Sequence, residues 1–150
     1  MEKTENLEQK IEGVVLVVDD QWGKSDFPII QDRYGDGKVQ GYKFELEDAW
    51  NGQAYDKNKV VQRVRQLNPS AILLDLDFYP QIGYGLEIMK ELNNLTPKIP
   101  VLMFSGTDTR KGLALIGQCL FNGAKEANGK ASASELKEAL DRYVGVVYGR

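Results

Sequence analysis

The sequence predicts an α/β fold in which helices cover both faces of a doubly wound, five-stranded parallel sheet. Short apolar runs recur along the chain at 14–18, 71–76 and 101–104, as is typical of parallel strands buried on both faces. Segments with helical spacing of apolar residues separate these runs. Strands that alternate with helices in this way form a parallel sheet.

The first third of the chain contains two predicted strands of different character. Residues 1–11 are polar and charged, and we interpret them as an N-terminal tail. The first strand covers 14–18, whereas 21–41 is irregular and punctuated by glycines. In 42–47, apolar and charged residues alternate, which predicts a half-exposed strand at the edge of the sheet.

The middle of the chain alternates between helix and strand. Apolar residues at helical spacing predict a helix over 56–67, which Pro69 ends, and a strand over 71–76 follows it. The next helix has its apolar stripe at Ile88, Leu92 and Leu95. A third buried strand then covers 101–104.

The last third predicts two helices around a weak strand. A helix over 108–121 ends at Gly123. The residues of this helix predicted to face inward are Leu113, Ile116 and Leu120. Residues 124–130 complete the strand pattern, although their composition favours a strand poorly. Ser132 and Glu135 have the spacing of a capping box and predict the start of the last helix.

Carboxylates follow two of the predicted strands. Asp19 and Asp20 come directly after the first strand, and Asp75 lies at the end of a similar apolar run. If these strands are parallel neighbours, the three carboxylates meet at one edge of the sheet, where ligands bind in this fold. Each like-charged pair at about 5 Å costs roughly 3 kcal/mol at an effective dielectric constant of about 20. We therefore predict a bound cation.

Composition limits which cation the site could bind and which kinds of function the protein could have. The chain has no histidine and one cysteine, Cys119, so oxygen ligands and a hard cation such as Mg²⁺ are expected, and histidine-dependent catalysis is excluded. The formal net charge of −3 argues against nucleic acid or an anionic membrane as a partner. With neither a leader nor an apolar run of membrane-spanning length, the sequence predicts a cytoplasmic protein that binds a small molecule or another protein.

Two further polar residues occupy equivalent places, Ser105 after the third apolar run and Lys130 after the weak strand. Over about residues 13–145, the chain resembles the receiver domain of two-component response regulators. The segments that match, in order, are Val17-Val18-Asp19-Asp20, Ile72-Leu73-Leu74-Asp75, Gly85-Leu86-Glu87-Ile88-Met89, Val101-Leu102-Met103-Phe104-Ser105-Gly106, and Gly123-Ala124 with Lys130.

The resemblance implies a flavodoxin-like sheet of strand order 2-1-3-4-5 and a receiver domain spanning 12–150. Asp75 would be the phosphoacceptor. The ligands of Mg²⁺ would be Asp19, Asp20, Asp75 and the backbone carbonyl of Asp77. Ser105 and Lys130 would contact the phosphoryl group.

The resemblance also implies partners. The phosphoryl donor would be a sensor histidine kinase or a phosphotransfer protein, and the output would be a conformational switch read by a downstream protein target. A homodimer is one assembly this would allow. The chain would be a signalling module and not an enzyme.

Two alternatives stay open at this stage. Ala127 and Ala131 replace an aromatic residue and a proline that are usual in the family, which favours a degenerate pseudo-receiver acting as a protein-interaction or dimerisation module. The pattern Asp75-Leu76-Asp77 matches the nucleophile and acid spacing of phosphatases of the haloacid dehalogenase family.

Overall fold

The computed structural model describes residues 13–20, 39, 41–106, 109–128 and 133–144. Five parallel strands form one sheet in the order β2-β1-β3-β4-β5. The strands are β1 Gly13–Val18, β2 Tyr42–Glu47, β3 Ala71–Leu74, β4 Val101–Phe104 and β5 Glu126–Asn128. The predicted fold class and strand order are confirmed.

Helices connect the strands, and two of the described helices begin at a side-chain cap. The described helices are α1 Lys57–Leu67, α2 Tyr84–Leu92, α3 Arg110–Phe121 and α4 Ala133–Val144. Asp56 caps α1, because its Oδ1 accepts a hydrogen bond of 2.8 Å from the backbone N–H of Asn58. Thr109 caps α3 in the same way, since its Oγ1 accepts from the N–H of Gly112 at 3.0 Å. Among the described residues, no helix is both long enough and apolar enough to cross a membrane.

Both faces of the sheet are buried, as the continuous apolar runs predict. Leu16 and Val18 pack against one core that includes buried residues of α1, α2 and α3. Val15 and Val17 point the other way and pack against a second core that includes α4. Because side chains alternate along a strand, β1 contributes to both cores.

The predicted inward face of α3 is wrong for two of its three residues. Leu113 and Leu120 are 55% and 42% exposed, whereas Cys119 is fully buried. Gly112 is also buried, and Ile116 packs partly against the core. The observed stripe lies one residue before the predicted one and has the same helical spacing, so periodicity could not distinguish the two.

Some predicted strands are shorter in the structure, and some predicted segments lie outside the described residues. The strand predicted over 71–76 ends at Leu74, and that predicted over 124–130 is described as Glu126–Asn128. The N-terminal tail 1–11, the larger part of 21–41, and Lys130, Ala131 and Ser132 lie outside the described residues.

The thiol of Cys119 provides a test of the packing of α3. Burial raises the pKa of Cys119 to about 11, so the thiol is protonated and shielded at neutral pH. We expect the native protein to react with iodoacetamide at pH 8 at least tenfold more slowly than the urea-unfolded protein, because only the thiolate is nucleophilic. Mass spectrometry of timed samples measures both rates. Equal rates would contradict the buried position.

Candidate metal centre

The parallel pairing of β1 with β3 brings the carboxyl ends of the two strands side by side. Val18 is opposite Leu74 in the register, and the N–H of Asp75 continues the ladder by donating to the carbonyl of Val18 at 3.0 Å. On the other side, the N–H of Asp19 donates to the carbonyl of Glu47 at 3.0 Å. The backbone positions of Asp19 and Asp75 are therefore fixed by the sheet itself.

Three carboxylates meet at this edge, as the sequence predicts. One carboxylate oxygen from each of Asp19, Asp20 and Asp75 lies within 4.8 Å of the others. Asp19 and Asp20 are buried and Asp75 is partly buried, so water screens their mutual repulsion poorly. The donor set consists of hard oxygen ligands at a spacing that a single ion can bridge. These residues therefore fit a divalent cation such as Mg²⁺.

Backbone N–H groups from the segment after β3 orient two of these carboxylates. We call residues 75–83 the site loop. The N–H of Leu76 donates to Oδ1 of Asp75 at 2.8 Å, and the N–H of Tyr79 donates to Oδ2 of Asp20 at 3.1 Å. Such bonds restrict the rotation of the carboxylate that accepts them. The site loop is therefore directly bonded to the candidate site.

Asp77 has a structural contact of its own. Its Oδ1 accepts a hydrogen bond of 2.8 Å from the N–H of Gly83, the residue before α2. The side chain of Asp77 therefore helps to close the site loop onto the start of α2. That its backbone carbonyl serves as a metal ligand stays a prediction.

Of the two residues predicted to contact the phosphoryl group, the structure describes Ser105 but not Lys130. Ser105 directly follows β4, the neighbour of β3 in the sheet, and is 6% exposed. It lies at the same edge of the sheet as the acidic cluster. Lys130 lies outside the described residues, so its predicted place beside Asp75 stays a prediction.

Gly85 positions Asp75, a role that the sequence alone did not reveal. Its N–H donates to the carbonyl of Leu76 at 2.7 Å. A Cβ atom at this position would lie 2.2 Å from the carbonyl oxygen of Asp75 and 2.7 Å from Cα of Leu76. The first turn of α2 therefore packs against the backbone of Asp75 and Leu76, which only a glycine permits.

Sequence comparison gives a weak and partial match. No protein-family model matches the chain. The chain is similar to a protein-glutamate methylesterase/protein-glutamine glutaminase from Clostridium acetobutylicum, at 25% identity over 103 residues, which is 66% of this chain. The match spans only 29% of the length of that protein.

Comparison with solved structures shows the fold. Similar structures include a LuxR-family two-component response regulator from Aurantimonas sp., with a TM-score of 0.66, 19% identity, and coverage of 89% of this chain and 85% of that one. The signal receiver domain of a putative Luxo repressor protein from Vibrio parahaemolyticus has a TM-score of 0.64 and 18% identity, with coverage of 89% of this chain and 90% of that one. A CheY-like response regulator receiver domain protein from Methanospirillum hungatei has a TM-score of 0.62 and 17% identity, with coverage of 87% of this chain and 92% of that one.

The close approach at Gly85 predicts opposite effects for two glycine substitutions. Gly85→Ala places a methyl group against backbone atoms that cannot move aside, so we expect it to lower the free energy of unfolding by at least about 2 kcal/mol. Gly117→Ala is the matched control, because nothing lies within 4 Å of the added methyl group on α3. That change is expected to stabilise by about 0.5–1 kcal/mol. Urea unfolding measures both, and equal effects would contradict the assigned packing.

The acidic cluster predicts a stability that depends on divalent cations. Without them, Asp20→Asn removes one like charge and keeps an oxygen that can accept from Tyr79, so we expect it to stabilise the fold by roughly 1–3 kcal/mol. Mg²⁺ should raise the melting temperature of the parent protein but not that of Asp20→Asn.

Thermal unfolding in EDTA and in 10 mM Mg²⁺ measures both effects. Asp48→Asn is the control, since Asp48 pairs with Lys59 and lies outside the cluster. This variant should keep the response to Mg²⁺. An Asp20→Asn protein that Mg²⁺ stabilises as strongly as the parent would contradict the site.

Proposed function

We propose that this chain is a receiver domain that accepts a phosphoryl group on Asp75 in a Mg²⁺-dependent step and changes conformation in response. The observation that supports this most directly is the meeting of Asp19, Asp20 and Asp75 within 4.8 Å, at the ligand-binding edge of a sheet with the receiver fold. Neither feature alone would suffice, since acidic clusters occur without metals and one fold serves many functions.

In the proposed reaction, a carboxylate oxygen of Asp75 attacks the phosphorus atom of the donor. The new O–P bond forms as the donor's P–N bond, or the P–O bond of acetyl phosphate, breaks, and the leaving group takes the electron pair. The backbone N–H of Leu76 holds the carboxylate of Asp75 in one orientation for this attack. Asp19 and Asp20 would hold Mg²⁺.

Charge neutralisation is the main requirement, because an anionic nucleophile attacks an anionic phosphate. Bound Mg²⁺ would supply positive charge to both. Ser105 would donate its hydroxyl hydrogen to a phosphoryl oxygen, and Lys130 would pair its ammonium group with the same anion.

The proposal extends to partners and location. Similar structures include response regulators, some of them DNA-binding. We therefore propose that a sensor histidine kinase or a phosphotransfer protein donates the phosphoryl group to this chain in the cytoplasm. A downstream protein would read the response, and the chain would act as a signalling module and not as an enzyme.

A specific observation favours the pseudo-receiver as the second candidate. Ala127 on β5 is partly buried and packs against the core formed with α1, α2 and α3, so the position has no ring that could turn with the state of the site. A protein of this kind would keep the fold and bind partners without accepting a phosphoryl group. The haloacid dehalogenase alternative needs the side chain of Asp77 as an acid, but this carboxylate accepts the N–H of Gly83.

Phosphoryl transfer is tested by a pair of isosteric substitutions in the site loop. After incubation with acetyl phosphate and Mg²⁺, we expect the intact mass of the parent protein to increase by one phosphoryl group. Asp75→Asn should abolish the gain because it removes the nucleophile. Asp77→Asn is the matched control and should keep it, because an asparagine retains both the backbone carbonyl and an oxygen that can accept from Gly83.

The outcomes distinguish the three candidates. Labelling of Asp75→Asn would overturn the assignment of the acceptor. No labelling of the folded parent protein would favour the pseudo-receiver. Turnover of p-nitrophenyl phosphate that both substitutions abolish would favour the phosphatase.

A further inference from the structure

Four aromatic rings form a continuous series from the site loop to the surface. Trp50 and Tyr55 have ring centroids 5.1 Å apart, Tyr55 and Phe78 5.3 Å, and Phe78 and Tyr84 6.2 Å. All three pairs have tilted or edge-to-face geometry, which is favourable for aromatic contacts. We call these residues the aromatic series, and residues 48–56, between β2 and α1, the Trp50 segment.

Hydrogen bonds join the same two parts of the chain and the first residues of the helices that follow them. Oε1 of Gln81 in the site loop accepts from the N–H of Tyr55 at 3.2 Å. The hydroxyl oxygen of Tyr84 accepts from the N–H of Lys57 at 3.0 Å, at the start of α1. Gln81 is itself held, since it exchanges two backbone hydrogen bonds with Phe78. The site loop and the Trp50 segment are therefore connected by both ring packing and polar contacts.

The carboxylates of the candidate site hold the other side of the site loop. Leu76 donates to Asp75 and Tyr79 donates to Asp20, at 2.8 and 3.1 Å. Phe78 lies between these two attachment points and is fully buried. Phe78 is therefore the member of the aromatic series that lies in the stretch of backbone bonded to the acidic cluster.

We propose that the aromatic series couples the candidate site to the Trp50 segment, so that binding of a divalent cation or a phosphoryl group at the site changes the environment of Trp50. The inference rests on the proposed function for the ligands of the site. Neutralising the charge of Asp20 or Asp75 weakens the hydrogen bonds that these carboxylates accept from the site loop. Because Phe78 is closely packed, its ring cannot shift without displacing the ring of Tyr55.

Trp50 is the end of the series at which a change would be visible. Its side chain is 41% exposed, so a shift of Tyr55 can either cover the indole or uncover it. The effect is reciprocal by thermodynamic necessity, since a site that alters the series is altered by it. A substitution within the series should therefore change the cation affinity of a site that it does not touch.

The chain has two tryptophans, and the experiment uses the full chain with Trp22→Phe, so that Trp50 is the single remaining one. Indole emission and acrylamide quenching are followed during a Mg²⁺ titration, and again after incubation with acetyl phosphate. Calorimetry and intact mass measure cation binding and phosphoryl transfer in the same samples. We expect the emission of Trp50 to change during the Mg²⁺ titration, and the dissociation constant fitted to this change should equal the one that calorimetry gives.

Phe78→Leu in this background should break the series and leave the three carboxylates in place. We expect Mg²⁺ still to bind, with its dissociation constant changed about fivefold or more, while the change in Trp50 emission falls at least threefold. Phe44→Leu is the matched control, because Phe44 packs partly against the core on the opposite face of the sheet. It should leave both quantities unchanged.

A second variant keeps the test valid if Phe78→Leu does not fold. Tyr84→Phe retains the ring and removes only the oxygen that accepts from Lys57, and it should reduce the Trp50 response by a smaller factor. An unchanged Trp50 response in a folded Phe78→Leu or Tyr84→Phe protein would overturn the coupling. Cation binding or phosphoryl transfer without any Trp50 response would also overturn it and leave the proposed function standing. A protein that neither binds Mg²⁺ nor accepts a phosphoryl group would overturn both.

Discussion

The parallel pairing of β1 with β3 is the constraint on which the candidate site depends. Both strands are apolar along their length and are buried between helices, so their register is fixed by hydrophobic packing. Each strand is followed immediately by aspartate, and the ladder continues to Asp75 through its bond to Val18. Burial of apolar surface therefore holds together carboxylates that would otherwise repel one another. The fold tolerates the repulsion among the three carboxylates because apolar burial stabilises it overall. That repulsion is the physical reason to expect a bound cation.

The site loop has a second role beyond presenting Asp75. It is attached by two kinds of contact: Tyr79 donates to Asp20 of the acidic cluster, while Asp77 and Leu76 accept from Gly83 and Gly85 at the start of α2. Within the loop, Leu76 and Phe78 are fully buried, whereas Tyr79 and Ile82 are exposed, so the core holds two side chains of an otherwise partly exposed segment. These buried side chains and the hydrogen bonds restrain the site loop more than a connecting loop that lies wholly on the surface.

Similarity to known receivers is clear in backbone geometry and slight in sequence. The solved structures named above share 17–19% of residues with this chain, yet they superpose over most of its length. A parallel sheet needs only apolar runs of suitable length and spacing, which many sequences provide. The residues that give function are few and lie at strand ends, and their roles have to be argued from their own chemistry.

The sequence by itself determined the fold class, the strand order that the resemblance implied, and the meeting of Asp19, Asp20 and Asp75. The fold class and the position of each aspartate follow from local patterns, because an apolar run defines a buried strand and the residue after the run lies at the end of that strand. The strand order, and with it the neighbouring positions of β1 and β3, came from the resemblance to receiver domains. Tertiary structure alone decided which stripe of α3 faces inward, since the two stripes have equal periodicity and only packing against the rest of the core distinguishes them. It also decided the contact of Gly85 with Asp75 and the assembly of the aromatic series. Trp50 and Phe78 are distant in sequence and belong to different connections, and no local pattern specifies that two such segments touch.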